Sequence, residues 1–298
     1  IFTDNIQMFV IAVLLLITIS YITLFSGDNF SFSFIESKNP QLLSSSYIPS
    51  YTAGLTFFIA VAATNLFHQG NWQRVYAAKN YETLKKGLII SFLIIVPIVF
   101  LMGFIGMVSF SIDPANRPDL GFFTLLLKDQ TELLSLLIIV LGLALTISTV
   151  DTLVNAISSL FVVDGKATFN FDKKTDYLKL SKYFIIAISI VVFFVASKGF
   201  DILYLFLLAD LFCCAFVLTV FYSFYNKRIN EKTAYISIIV GLIAGIMIFP
   251  FPDFSKSLLV GVLVPTEVFS PFVTQSLLFL SFLSATFLPA VFLKIKKL

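Results

Sequence analysis

Read from its N-terminus, the chain alternates long apolar stretches with short polar ones. Eight apolar segments stand out, at roughly 4–25, 53–70, 87–111, 132–163, 180–197, 202–225, 233–250 and 272–293. A helix needs about 20 apolar residues to cross a bilayer's hydrocarbon, and the pattern predicts eight membrane spans. Segment 87–111 makes a helix of about 37 Å, enough to cross with tilt. Segment 132–163 is longer than a crossing requires, so it must tilt, break or project into the cytoplasm. Segment 53–70 fits worst. Its apolar run AGLTFFIAVAA (53–63) is too short to cross as a straight helix, and TNLFHQGNWQR (64–74) follows, with the chain's only His and only Trp. A half-length helix followed by Thr, Asn and Gly is the pattern of a discontinuous membrane helix, whose freed backbone groups must line a cavity. Thr64, Asn65 and Gln69 are expected to face that cavity. His68 is assigned to cavity or gate, and Trp72, Gln73 and Arg74 to the membrane interface.

Composition agrees with the pattern. The 298 residues are 58% hydrophobic and 12% charged, and a soluble domain carries about twice that charge. The reading is an all-α polytopic membrane protein, with residues 1–298 as a single transmembrane domain and no soluble domain. Lysine and arginine orient it. Fifteen of the 20 follow the second, fourth, sixth and eighth segments, and only Lys38, Arg117, Lys128, Lys198 and Lys256 lie on the other side. Both ends of the chain are therefore expected to be cytoplasmic, in a cytoplasmic (plasma) membrane protein. The opening Ile1-Phe2-Thr3-Asp4 has neither Met nor a signal peptide's basic start, and Ile1 is not expected to be the natural first residue. Cys213 and Cys214, adjacent on one helix, read as small apolar fillers rather than a disulfide or metal pair. No phosphate-binding GxxxxGK[ST], no paired His/Cys set and no GxSxG occurs, so an enzyme is not expected, nor a cofactor or a nucleic-acid partner.

Polar groups inside apolar segments carry the remaining information, because each charge at the bilayer centre costs about 2.5–3.5 kcal/mol on insertion scales. Asp4 and Gln7 share a helix face, and position alone allows a simple interfacial role. In segment four, Ser148, Asp151, Thr152, Asn155, Ser158 and Ser159 fall in one stripe of about 120°, opposite Ile147, Val150, Val154, Ile157 and Leu160. Such oxygens suit a hard cation such as sodium, or serve equally as helix–helix glue. Asp210, in YLFLLADLFCCAF, lies inside segment six with no basic residue near in sequence. It is a cavity-facing acid, a protonated carboxyl, or one half of a pair with another helix.

TDNIQ, then NLFHQGNWQRVYAAKN, then ISTVDTLVNAISSLFVVD together resemble the sodium:solute symporter family, in the right order and on the right segments. LYLFLLADLFCCAFV resembles its urea-transporter-like branch. The resemblance implies a LeuT-type core of two inverted five-helix repeats. Residues 1–25 would be core helix five, 53–225 the second repeat (core helices six to ten), and 233–293 two peripheral helices, with core helices one to four absent. It further implies that Ser148 and Thr149 supply hydroxyls and Leu145 a carbonyl to a sodium site. Asp4 falls on the sodium exit path, Gln7 near a second sodium position, and Asp151 is grouped with them. The sugar transporters place an aromatic gate near Thr64 and Asn65. Those positions are not aromatic here, so a small polar solute fits better than a sugar, with Thr64, Asn65, His68, Gln69 and Asp210 lining its cavity or gate. The expected function is sodium-coupled symport of that solute by alternating access. The rivals are a proton-coupled or sodium-independent carrier, in which Asp4, Asp151 and Asp210 serve a proton, and a transporter-like sensor. The end at LKIKKL weighs against the sensor. Oligomeric state and the identity of the solute are not readable, and the isolated 298 residues are expected to be inert.

Overall fold

The computed structural model describes the chain apart from residues 1, 26–29, 115–120, 128–131, 170–175, 227–228, 255, 264–270 and 296–298. The described residues are helical almost throughout and form no strand, only an isolated bridge between Pro250 and Ser257. In chain order the helices are α1 (Phe2–Phe25), α2 (Phe32–Lys38), α3 (Ile48–Phe67), α4 (Gln69–Ala77), α5 (Tyr81–Ile112), α6 (Gly121–Leu127), α7 (Glu132–Phe169), α8 (Tyr177–Ala196), α9 (Ile202–Tyr225), α10 (Glu231–Ile248), α11 (Leu258–Leu263) and α12 (Pro271–Ile295). Among the described residues seven helices are long and apolar enough to cross a membrane: α3, α5, α7, α8, α9, α10 and α12. The eighth expected span is α1, a helix of 24 residues. The protein is an all-α polytopic membrane protein.

One expectation needs correction, and one left open is narrowed. The segment read as a half-length helix is not short. α3 starts at Ile48 and runs for 20 residues, about 30 Å, a full crossing. Pro49 sits in its first turn, where a missing N–H costs nothing. The hydroxyl of Thr52 donates to the Pro49 carbonyl at 3.1 Å and that of Thr56 to the Thr52 carbonyl at 2.7 Å, so both threonines are satisfied within the helix. The break therefore falls at the end of a complete span. Segment four, for its part, does not break: α7 is continuous over 38 residues, about 57 Å. Asn80, Asp201 and Asn230 cap the first turns of α5, α9 and α10 with side-chain oxygens, which marks where polar connections give way to spans.

The chain forms two compact units. One comprises Ile1–Ser44 and Gln69–Phe194, the other Ser45–His68 and Val195–Leu298. In the first, α7 packs against α1, α4 and α6, and α5 packs against α2 and α6. Ile35, Phe104 and Val108 are buried together, with Phe30 edge-on to Phe104 at 4.9 Å. α8 meets α7 through Phe161 and Phe184, stacked at 3.8 Å, and otherwise buries none of its residues.

In the second unit α9 and α12 pack against each other and each against α3 and α10, around Leu207, Leu211, Cys214, Phe249, Phe282 and Ala285. α10 approaches α12 closely through Gly241 and Gly245, where any Cβ would meet Pro289 and Ala285. Serines fasten this seam. Ser281 Oγ donates to the Gly245 carbonyl at 2.7 Å and Ser237 Oγ to the Pro289 carbonyl at 3.0 Å, with Thr219 Oγ1 2.9 Å from Ser237 Oγ. Ser281→Ala is expected to lower unfolding stability by about 1 kcal/mol, typical of an interhelical hydrogen bond in a membrane. Reversible unfolding in mixed micelles measures it. As expected, Cys213 and Cys214 are free thiols; Cys214 is buried and its thiol points to the Ile59 carbonyl at 3.8 Å.

Candidate functional site

The sites expected from the sequence fall in both units. In the first unit they centre on the polar stripe of α7. Thr149 Oγ1 donates to the Leu145 carbonyl at 2.9 Å, and Thr152 Oγ1 to the Ser148 carbonyl at 3.0 Å. Ser148 is half-buried, Thr149, Asp151 and Asn155 are exposed, and the Ser148 hydroxyl has no partner among the described residues. This half of the stripe is uncovered there, while the other half is not. Ser158 Oγ pairs with Ser181 Oγ of α8, and Ser159 Oγ accepts from Gln73 Nε2 of α4 at 2.7 Å. Gln73, expected at the interface beside Trp72 and Arg74, has a partner on another helix. It ties α4 to α7, whereas Trp72, Arg74 and Tyr76 are exposed and the two rings lie 6.3 Å apart. Nothing local in the sequence marks Gln73 as different, because its partner is 86 residues away. Gln73→Ala is expected to speed amide exchange in 69–77 by about fivefold, the effect of losing one hydrogen bond of about 1 kcal/mol. Hydrogen–deuterium exchange reads it directly.

Asp4 and Gln7 lie on the backbone of α1, and their side chains are outside the described residues. Gln69 opens α4 and is half-buried.

In the second unit, α3 ends at Phe67. His68, with ψ of 103°, leaves the helical region for a single residue before α4 resumes at Gln69. One turn before that break, Thr64 and Asn65 point differently. Thr64 Oγ1 donates to Asp210 Oδ1 of α9 at 2.5 Å, which joins positions 146 residues apart. Asn65 is exposed and donates back to the Val61 carbonyl at 2.8 Å. Asp210 is 1% exposed, and its Oδ2 is buried without a hydrogen-bond partner among the described residues. Of the readings left open for this acid, a partner on another helix is present, and it is Thr64.

The helices, with hydroxyls inside them and, among the described residues, the buried acid Asp210, define a polytopic membrane protein. The chain belongs to the sodium:solute symporter family, whose family model matches residues 1–241. No curated protein and no solved structure matches it. Membership makes its class of activity solute transport across a membrane, generally coupled to sodium.

Proposed function

We propose that this protein carries a small polar solute into the cell together with sodium, by alternating access. The observation that carries the sodium half is the open stretch of α7. Thr149 Oγ1 and the Leu145 carbonyl oxygen, 2.9 Å apart, can both lie about 2.4 Å from one ion, as hard cations require of oxygen ligands. A sodium ion taking both breaks that one hydrogen bond, the O–H of Thr149 turning away while its oxygen coordinates, and Ser148 adds a neighbouring hydroxyl. The remaining ligands come from the first repeat of a LeuT-type core. In that scheme α1 is core helix five, α3–α4 the broken core helix six, and α5, α7, α8 and α9 are core helices seven to ten, with α10 and α12 peripheral. Sodium leaves past Asp4, with Gln7 and Asp151 along the path or at a second ion position. The solute binds where α3 breaks, near Thr64, Asn65, His68 and Gln69, with Asp210 behind them. The segregation of lysine and arginine supports a plasma-membrane carrier with both ends of this chain cytoplasmic.

Coupling is thermodynamic: sodium raises solute affinity, and solute raises sodium affinity by the same factor. One charge moving across 100 mV supplies about 2.3 kcal/mol to drive accumulation. The test is uptake by the full-length protein from a panel of urea, proline, short monocarboxylates, pantothenate and sugars, with sodium or choline outside. Uptake of a small polar solute that vanishes in choline is the expected result. A solute carried equally well in choline overturns the reading.

A further inference from the structure

Among the described residues of the second unit Asp210 is the buried acid, and the proposed symport leaves its protonation unassigned. It is 1% exposed, nine residues into a 24-residue span. One oxygen accepts a neutral hydroxyl, from Thr64, and the other meets nothing among the described residues. A carboxylate placed so would need a counter-charge, because a single neutral donor does not replace the hydration of an ion.

The helices packed against α9 do not provide one. α3 contains no basic residue, and its only ionisable side chain is Tyr51. α10 carries Glu231, Lys232 and Tyr235 near its start, and α12 carries Lys294 in its last turn. Lys232 follows the end of α9, which lies 15 residues or about 22 Å of helix beyond Asp210. His68 lies one turn past Thr64 at the end of α3, and the hydrogen bond that Asp210 accepts among the described residues is from Thr64. On α9 the nearest titratable neighbours are the thiols of Cys213 and Cys214. A metal cation fits no better than an ammonium group: sodium wants several oxygen ligands, and among the described residues Thr64 is the one hydrogen-bond partner of this carboxyl. The ligand that satisfies a buried carboxyl oxygen with no room and no partner is a proton.

We propose that Asp210 and Thr64 form a proton-binding site in the α3–α9 seam, occupied when the two helices are packed as here and emptied when the seam opens to water. The proton comes from hydronium and forms an O–H bond on Oδ2. It returns to water as the carboxylate becomes hydrated, with no other bond made or broken. The neutral acid accepts from Thr64 and keeps α3 on α9. The ionised acid favours their separation, so external pH biases the carrier's conformations. The inference rests on the chain being a carrier and not on the sodium ligands of α7.

Infrared difference spectroscopy of the full-length protein in lipid nanodiscs, between about pH 5 and about pH 9, tests it without any solute. The wild type is expected to show a neutral-carboxyl C=O band that moves in D2O and is lost reversibly as pH rises, with helicity unchanged. Asp210→Asn removes that band. Thr64→Val keeps it but shifts its frequency, because the C=O loses its hydrogen bond. Equal carboxyl bands in wild type and Asp210→Asn overturn the proposal, as does a band that persists until the helices melt. A band that disappears on adding sodium at constant pH also overturns it, because the ligand is then the metal ion. Should Asp210→Asn fail to fold, an unchanged band in Thr64→Val overturns it alone. None of these outcomes bears on Ser148 and Thr149.

Discussion

Alanine at both Ser148 and Thr149 is expected to leave a folded protein whose transport has lost its response to sodium. Ser148 is half-buried and Thr149 exposed, and the hydrogen bond of Thr149 is to its own helix, so little packing is at stake. What is lost is two oxygens from an ion's shell. Contacts to charged groups contribute about 1.5–3 kcal/mol each, so removing two lowers the apparent sodium affinity by about 10²–10⁴-fold. Sodium titration of uptake checks this. Thr149→Ser, which keeps the oxygen, is expected to retain most of the affinity, whereas a purely structural role for Thr149 would not discriminate serine from alanine in this way. An unchanged half-saturating sodium concentration in the double variant contradicts the assignment.

Gly241→Ala should be the most damaging single methyl in the second unit. A Cβ there would lie 2.5 Å from Pro289 Cγ and 2.7 Å from the Ala285 carbonyl oxygen. Neither neighbour is a flexible chain end: one is a proline ring inside a helix, the other is backbone. The α10–α12 seam must therefore open, and the hydrogen bonds from Ser237 and Ser281 across it stretch. The expected cost is about 3 kcal/mol, the upper range for overpacking a tight contact. Gly103→Ala on α5, where nothing lies within 4 Å, is the control. It is expected to be neutral or to raise stability by up to about 1 kcal/mol, since alanine favours helix. Unfolding of both variants in mixed micelles separates them, and equal losses would mean the close approach at Gly241 contributes nothing.

Most of the span pattern was legible because hydrocarbon thickness imposes a length on any apolar run, and α5, α9, α10 and α12 fall where their apolar segments do. The start of α3 is hidden in the sequence because Pro49, Ser50, Tyr51 and Thr52 look like loop. Pro49 in the first turn was the available sign of a helix start, and Thr52 satisfies its hydroxyl on the helix's own carbonyls. Short helices such as α6 and α11, of seven and six residues, are too short to stand out as apolar segments of membrane length.

The anomalies of the site were visible in one dimension. Asp210 stands out in an apolar run, and the α7 stripe stands out by its period. Their partners were not, because the links from Thr64 to Asp210 and from Gln73 to Ser159 join residues 146 and 86 positions apart. No local propensity or spacing encodes such a pair. Thr64 and Asn65, adjacent and alike in the sequence, separate only in three dimensions: one turns to α9, the other back to its own helix.

The most direct measurement is the paired flux of sodium and solute in proteoliposomes that contain the full-length protein. Isotopic sodium outside is followed together with each solute of the panel, at a fixed inside-negative potential. The account predicts that one small polar solute and sodium enter together in a fixed ratio, each flux falling when the other is withheld, and that the Ser148→Ala, Thr149→Ala double variant loses this coupling at sodium concentrations that saturate the wild type. Solute entry that continues undiminished without sodium, or sodium entry indifferent to every solute the protein carries, would contradict it.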